Sequence, residues 1–389
     1  MYRIGAKELE ELKRVLDAGD LFKINGGLQE SRQVEDKLRQ SFSVPHAIFM
    51  TSGYAALVSA LVALGVGPGD EVIVPAYTYI ATAMAVVGAG AIPVLAEVDD
   101  TLTIDPGDVE QKISPHTKAI IPVHIQGFPC DMDSIMALAG RHGLLVLEDA
   151  CQADGGSYKG RRLGAIGNAG ALSFNFFKIL TCGEGGALLT ADRQVFERAL
   201  IYHDSSAVAY FGDQLSNVET EEFCGGEFRS NELCAAVMNR QLDRMDAILA
   251  DLRANKKYLM DGLADACRFV PSNDLAGDCG TTLALQFESE AAARRFAQAD
   301  GINGVLPIDT GKHVYRHWTP IMKKRGALHP LMDPFKMEAN RGIVPDYRDD
   351  MCPQTLERLA KAVYLNIDPN DDKNALDRKL GQIRSALNR

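Results

Sequence analysis

One lysine stands in the segment ALSFNFFKILTCGEGGALL, residues 171–189: Lys178, among aromatic and aliphatic neighbours. An amine in apolar surroundings loses charge by desolvation, which is how a lysine becomes a nucleophile at neutral pH. The alternative is a surface lysine reaching into water. The GEGG that follows weighs against it, because three glycines in four residues specify a backbone geometry. In LLVLEDACQADG (144–155) an apolar strand runs into Asp149, with Gln152 three residues on. Ligands of open α/β sheets gather at the carboxyl ends of strands. Asp149 is therefore either a ligand-facing carboxylate or a strand-end turn residue. FMTSGYAALVSAL (49–61) ends a strand in Ser52 and Gly53 and opens a helix at Tyr54; free N–H groups at a helix start bind phosphate. VPAYTYIAT (74–82) carries Tyr77 and Tyr79, either able to cover a flat ring or to fill the core. Jointly these parts describe one ligand: a flat cationic ring, a phosphate and an aldehyde awaiting a lysine. That is how pyridoxal 5′-phosphate is held, by a Lys Schiff base with an acidic partner on the pyridinium nitrogen.

Such residues need a scaffold of strands ending at one edge. Short apolar runs at 46–50, 71–75, 92–98, 119–124, 144–149, 169–174 and 186–190 alternate with helical stretches, which predicts an α/β fold with a mostly parallel seven-stranded sheet. The runs are continuous, as where both sheet faces are covered. Helical spacing at 8–16 and 31–42 predicts two opening helices, and 232–260 reads as one long helix. Beyond 260 strand signals weaken: 281–287 reads as a strand, 291–300 and 353–365 as helices, and 301–345 as a loop-rich region. The expected division is a large cofactor-binding domain over 25–250 and a smaller α+β domain over 251–389, with 1–24 as an N-terminal helix packing on the latter.

Composition narrows the function. The 389 residues carry 41 Lys+Arg against 52 Asp+Glu, a net charge of −11, which disfavours a nucleic-acid binder that must neutralise phosphates. Eight cysteines without a CxxC read as reduced thiols, neither a disulfide scaffold nor a metal centre. The opening segment has no apolar core of a signal peptide. Residues 72–96 are uncharged and long enough to span a bilayer, but Pro75, Gly88, Gly90 and Pro93 interrupt them. A cytoplasmic protein with no membrane partner is expected.

The chain resembles the DegT/DnrJ/StrS family of sugar aminotransferases, which share the fold type I architecture of aspartate aminotransferase. The pieces that carry the resemblance are TSGYAAL, GDEVIVPAYTYIATA, IPVHIQGFPCDMDSI, LEDACQADGGSYKGRRLG, LSFNFFK, GEGGALLT, FRSNELCAAV and RDDMCPQTL. The resemblance implies a role for each matching residue. Lys178 matches the lysine that carries the cofactor, and Asp149 the acid on its ring nitrogen. Gln152 matches the partner of the ring 3′-oxygen, Ser173 a hydroxyl on the phosphate, Gly53 and Tyr54 the phosphate turn, and Tyr79 the aromatic stacked on the ring. Glu184, in GEGG, matches a family position near the site. Three positions depart. Tyr54 replaces the usual Thr of the phosphate turn, Asn175 the usual aromatic or His, and Glu227 an Asn that reaches the partner subunit's phosphate. A carboxylate at 227 would repel that phosphate unless a cation intervenes.

The resemblance also implies a homodimer with active sites at the interface, an amino donor (L-glutamate or glutamine) and a sugar acceptor. The expected acceptor is a nucleotide-linked keto-sugar or a free acidic sugar, since the tail resembles the subgroup that forms 8-amino-3,8-dideoxy-manno-octulosonate. The basic segment YRHWTPIMKKR (315–325) supplies candidates for an anionic acceptor: Arg316, Lys323 or Arg325, with His317 beside them, Trp318 as a flat wall and Arg229 as a further cation; for Lys323 and Lys324 the alternative is a solvated basic face. Family members that dehydrate the sugar instead replace the lysine with histidine; retention of Lys178 favours transamination. A lyase or dehydratase on the same fold, or a cofactor-bound regulatory protein, are the rival readings, and turnover of the amino donor separates them.

Overall fold

The computed structural model describes residues 3–23, 27–204 and 218–388. Seven strands form the main sheet: β1 (His46–Met50), β2 (Glu71–Pro75), β3 (Ile92–Ala96), β4 (Thr117–Ile120), β5 (Leu145–Asp149), β8 (Ala169–Ser173) and β9 (Gly186–Thr190), in spatial order β1-β9-β8-β5-β4-β2-β3. The pairs from β3 to β8 are parallel, and β9 runs antiparallel between β8 and β1. The expected mostly parallel sheet is therefore present. β6 (Ser157–Tyr158) and β7 (Arg161–Arg162) form a small hairpin beside it.

Helices α1 (Ala6–Ala18) and α2 (Glu30–Phe42) precede β1; α3 (Gly53–Ala63), α4 (Ala81–Gly88), α5 (Pro106–Lys112) and α6 (Met132–His142) follow β1 to β4 in turn, and α7 (Arg193–His203) follows β9. The first turn of α3 is capped by Ser52, whose Oγ accepts from the Ala55 N–H. Nearly every residue of α3 is buried, because the helix lies directly against β8 and β9. This packing fixes the helix start against the strand ends that carry the candidate site.

The stretch 232–260 is two helices, α8 (Glu232–Leu242) and α9 (Met245–Leu263), broken at Asp243-Arg244. A helical periodicity runs through both, but they serve different neighbours: α8 packs on α1 and α2, whereas α9 meets the C-terminal helix. Residues 353–365 divide likewise. α12 (Pro353–Ala360) is followed by a strand, β12 (Ala362–Asn366), because Val363, Tyr364 and Leu365 pair in antiparallel register with β11 (Thr282–Gln286). With β10 (Arg268–Phe269) they make a three-stranded sheet. It is accompanied by α10 (Glu290–Ala297) and α13 (Lys373–Leu387), with α11 (Thr319–Met322) in the intervening loop-rich stretch.

Helix α1 lies on α8, where Glu8 ion-pairs with Arg244 and accepts from Gln241. Ahead of it, Arg3 ion-pairs with Asp251 at 2.6 Å and donates to the Pro369 carbonyl, so the N-terminal segment touches both sides of the expected boundary at 250. No helix among the described residues is long and apolar enough to cross a membrane. Residues 81–88 of the uncharged stretch form only α4, set between two buried strands.

Candidate active site

Strand β5 delivers Asp149 to its carboxyl end, 5% exposed, and two donors hold the carboxylate there. Its Oδ1 accepts from the Cys151 N–H at 3.1 Å and its Oδ2 from the Thr82 hydroxyl at 2.7 Å. Thr82 stands in the first turn of α4, and the Thr78 hydroxyl lies 2.8 Å from its own. With the Thr82 proton on Asp149, Thr78 is the donor to Thr82, so a relay of hydroxyls ends on the carboxylate. Hydrogen bonds of this kind fix the carboxylate's position at the strand end.

The turn after β8 carries Lys178, and its N–H returns to the Asn175 carbonyl at 3.0 Å. Asn175, where the family has an aromatic or His, donates its amide to Glu184 at 3.0 Å and so ties the two ends of the lysine loop together. Lys178, Asp149, Gln152 and Glu184 all line one cavity of about 520 Å³. Tyr79 forms part of its wall, 43% exposed, with its ring 5.4 Å from that of His313. His313 is brought there by pairing of residues 76–80 with 312–315: Thr78 N–H and Ile80 N–H donate to the carbonyls of His313 and Lys312. Burial, with a smaller push from the Lys178 charge, lowers the pKa of His313. Tyr77, the other aromatic of that segment, is a core side chain.

The opposite end of the cavity is the start of α3. Ala55 N–H is capped by Ser52 Oγ and Ala56 N–H by the Ser52 carbonyl, which leaves the Gly53 and Tyr54 N–H groups open at the helix start, in residues that line the cavity together with Ser173. A β-carbon on Gly53 would stand 2.7 Å from Cys151 Sγ and 2.9 Å from Ser173 Cβ, so only glycine brings this backbone so close to β8. Gly186 supports the turn from behind, since a β-carbon there would collide with the Ser52 carbonyl group and lie 2.6 Å from the Gly53 nitrogen. The bulk of Tyr54 is accommodated along α4, its hydroxyl filling the space that a β-carbon on Gly88 would need. The donors and acceptors fit pyridoxal 5′-phosphate: two open N–H groups and Ser173 for the phosphate, Asp149 for the ring nitrogen, Gln152 for the ring oxygen and Lys178 for the aldehyde.

Four expected acceptor residues are placed elsewhere. Trp318 is fully buried and donates its indole N–H to the Lys312 carbonyl at 2.8 Å, so it braces the segment that carries His313 and presents no wall to a ligand. Arg316 and His317 are exposed and line neither this cavity nor its neighbour. Arg229 is clamped by Asp204 and by Glu227 at 2.9 Å, with its guanidinium over the Phe22 ring. Glu227 therefore does meet a cation, supplied by its own chain, and the charge of Arg229 is matched before any ligand arrives. Conversely Thr82, His313 and Gln126, which line these cavities or hold their residues, escape notice in the sequence. Thr82 stands inside the segment VPAYTYIAT, but nothing local tells which threonine faces a carboxylate 67 positions away.

Residues 2–303 match the DegT/DnrJ/EryC1/StrS aminotransferase family. Over 339 residues the chain is 36% identical to the L-glutamine:2-deoxy-scyllo-inosose aminotransferase of Streptomyces kanamyceticus, covering 84% of this chain and 77% of that protein. It is 40% identical over 248 residues to the spore coat polysaccharide biosynthesis protein SpsC of Bacillus subtilis (strain 168), covering 62% and 63% respectively. Among solved structures, 3-amino-5-hydroxybenzoic acid synthase superposes with a TM-score of 0.80 at 26% identity, covering 100% of this chain and 98% of that one. The architecture is the fold type I of pyridoxal-phosphate enzymes. A lysine, a held carboxylate and an open helix start around one cavity agree with these likenesses, and the chain belongs to the DegT/DnrJ/EryC1/StrS family of pyridoxal-phosphate-dependent aminotransferases.

Proposed function

We propose that the chain moves an amino group from L-glutamine or L-glutamate to the carbonyl of a sugar or a sugar-like ring. The observation that carries this reading is the convergence of Lys178, Asp149 and Gln152 on one cavity whose far end is an open helix start. The names of the relatives support the donor and the acceptor class: one takes L-glutamine and an inosose, and another serves spore coat polysaccharide synthesis. Antibiotic-sugar or surface-polysaccharide biosynthesis is the corresponding setting. The working unit proposed is a cytoplasmic homodimer with active sites at its interface, as the sequence resemblance implies.

Bound pyridoxal phosphate supplies the electron sink that makes the α-carbon of the donor acidic. The remaining work falls to the chain. Lys178 Nζ would take the proton from the donor's α-carbon and later return one to the acceptor carbon, the task of a positioned general base and acid. Asp149, positioned by Thr82 and the Cys151 N–H, would pair with the ring nitrogen. The Gly53 and Tyr54 N–H groups and Ser173 anchor the phosphate. Tyr79 and His313 close the open side against water.

Two measurements test the reading. L-glutamine or L-glutamate added to the holoenzyme should change its visible absorption band; a band that ignores both donors defeats the aminotransferase assignment. Lys178→Ala should lose multiple-turnover transamination while remaining folded, and full turnover in that variant would be equally decisive against it.

A further inference from the structure

The turn beyond β4 has an unusual backbone and is held from two sides. Gln126 adopts φ 53° and ψ 21°, in the left-handed region, and Gly127 follows at φ 81°. A residue other than glycine keeps such a conformation only where its surroundings fix it. On the side of the main sheet, His124 N–H donates to the Asp149 carbonyl at 3.0 Å. The buried His124 ring sits 3.1 Å from Glu148, and its Nδ1 accepts from the Cys130 N–H at 3.1 Å. On the side of the small sheet, Cys279 N–H donates to the Gly127 carbonyl at 3.1 Å and the Thr281 hydroxyl to the Gln126 carbonyl at 2.7 Å. The Thr282 hydroxyl donates to Gln126 Oε1 at 3.1 Å. Gly127 has no room for a side chain, since a β-carbon would stand 2.7 Å from Cys279 Cβ.

Held in this way, Gln126 sends its N–H out of the turn, to Gln152 Oε1 at 3.0 Å. Both residues line a cavity of about 320 Å³ that adjoins the first and shares Lys178 and His313 with it, and Gln152 lines the first as well. A carboxamide carries an oxygen and an NH₂ of nearly equal size, and a half-turn of its last bond exchanges them. A main-chain N–H can only donate, so it accepts one of the two orientations: oxygen toward Gln126, with the NH₂ left free to donate. The ring oxygen of pyridoxal phosphate, negatively charged when ionised, calls for a donor and would be repelled by a carboxamide oxygen.

We propose that Gln126 is a positioning residue for the cofactor. Its main-chain N–H fixes the orientation of the Gln152 carboxamide, so that an NH₂ and not an oxygen is offered to the ring oxygen. Thr281 and Thr282 of the small sheet hold Gln126 in the conformation that does this, which makes cofactor binding depend on the contact between the two sheets. The inference rests on the reading of Gln152 as the partner of the ring oxygen and adds the residue that sets its donor sense.

The test starts from the holoenzyme and follows cofactor retention on dialysis against limiting pyridoxal phosphate, together with the position of the visible band. Gln126→Val places a β-branched side chain where such residues avoid positive φ, and so turns the N–H away from Gln152. Retention should fall about three- to tenfold, the worth of one hydrogen bond, and the band should move. Gln126→Gly keeps both the positive φ and the N–H and should behave as wild type. Thr281→Val removes the hydroxyl on the Gln126 carbonyl; it should change both readouts in the direction of Gln126→Val, and it stands in for that variant should Gln126→Val fail to fold. In a Gln152→Leu background, Gln126→Val should have no further effect, because the residue acts through that carboxamide. Additive losses in the double variant would overturn the proposal, as would wild-type retention and band in both Gln126→Val and Thr281→Val. A Gln152→Leu enzyme with wild-type retention and band would instead remove the reading of Gln152 beneath it. No amino donor enters these measurements, so their outcome is separate from that of the aminotransferase tests.

Discussion

Replacing Thr82 with valine removes one hydroxyl and keeps the shape of the side chain. Thr82 is fully buried and Asp149 is 5% exposed, so water cannot substitute for the lost donor. The bond is 2.7 Å long and its acceptor is a carboxylate. Hydrogen bonds to charged groups contribute about 1.5–3 kcal/mol. The Cys151 N–H remains on the other oxygen, which places the expectation toward the lower end. Without the Thr82 bond the carboxylate loses one of the two donors that fix its position at the strand end. We therefore expect kcat to fall about 10- to 100-fold in Thr82→Val. Thr82→Ser restores the hydroxyl and should recover most of the activity. The assay is steady-state transamination, with the visible band of the holoenzyme recorded in parallel and thermal unfolding as a control for folding. A Thr82→Val enzyme that folds, binds the cofactor and matches wild-type kcat would refute the claim that this hydroxyl holds Asp149 in its working position.

Three further outcomes are expected. Gly186→Ala pushes a methyl against the Ser52 carbonyl and the Gly53 nitrogen; overpacking of about 1–3 kcal/mol should appear mainly as weaker cofactor binding, measured by dialysis against limiting pyridoxal phosphate. Asp154, fully buried, has its pKa pushed well above the ordinary 3.8 by burial, against weaker pulls from the Lys178 charge and the Ser173 backbone. Its contribution to stability is thus intact below about pH 4 and is lost as pH rises through the folded value. Asp154→Asn should therefore match wild type in acid and exceed it in melting temperature toward neutral pH; the reverse trend would contradict the assignment. Trp318→Ala should lose about 3–5 kcal/mol of stability in denaturant unfolding, because the indole is core and not a ligand wall.

The sequence by itself carried the reacting groups. Lys178, Asp149, Gln152, Gly53 and Ser173 each stand at a strand end or in the turn beside one, and a strand's apolar run with the turn after it is a local signal that needs no knowledge of the rest of the chain. The seven strands of the main sheet were legible for the same reason. The break at Asp243-Arg244 was not, since one helical period runs through both segments and only their different packing partners separate them. Nor was β12, whose strand state depends on pairing with β11, 76–84 positions earlier. Tertiary structure alone decided which side chains hold, clamp or withdraw the others. It set Thr82 on Asp149 across 67 residues, His313 against Tyr79, Gln126 between Gln152 and the small sheet, Asp204 and Glu227 on Arg229, and Trp318 in the core. Hydrogen bonds and burial between segments so far apart are selected by packing, and packing leaves no periodic mark on the sequence at either end.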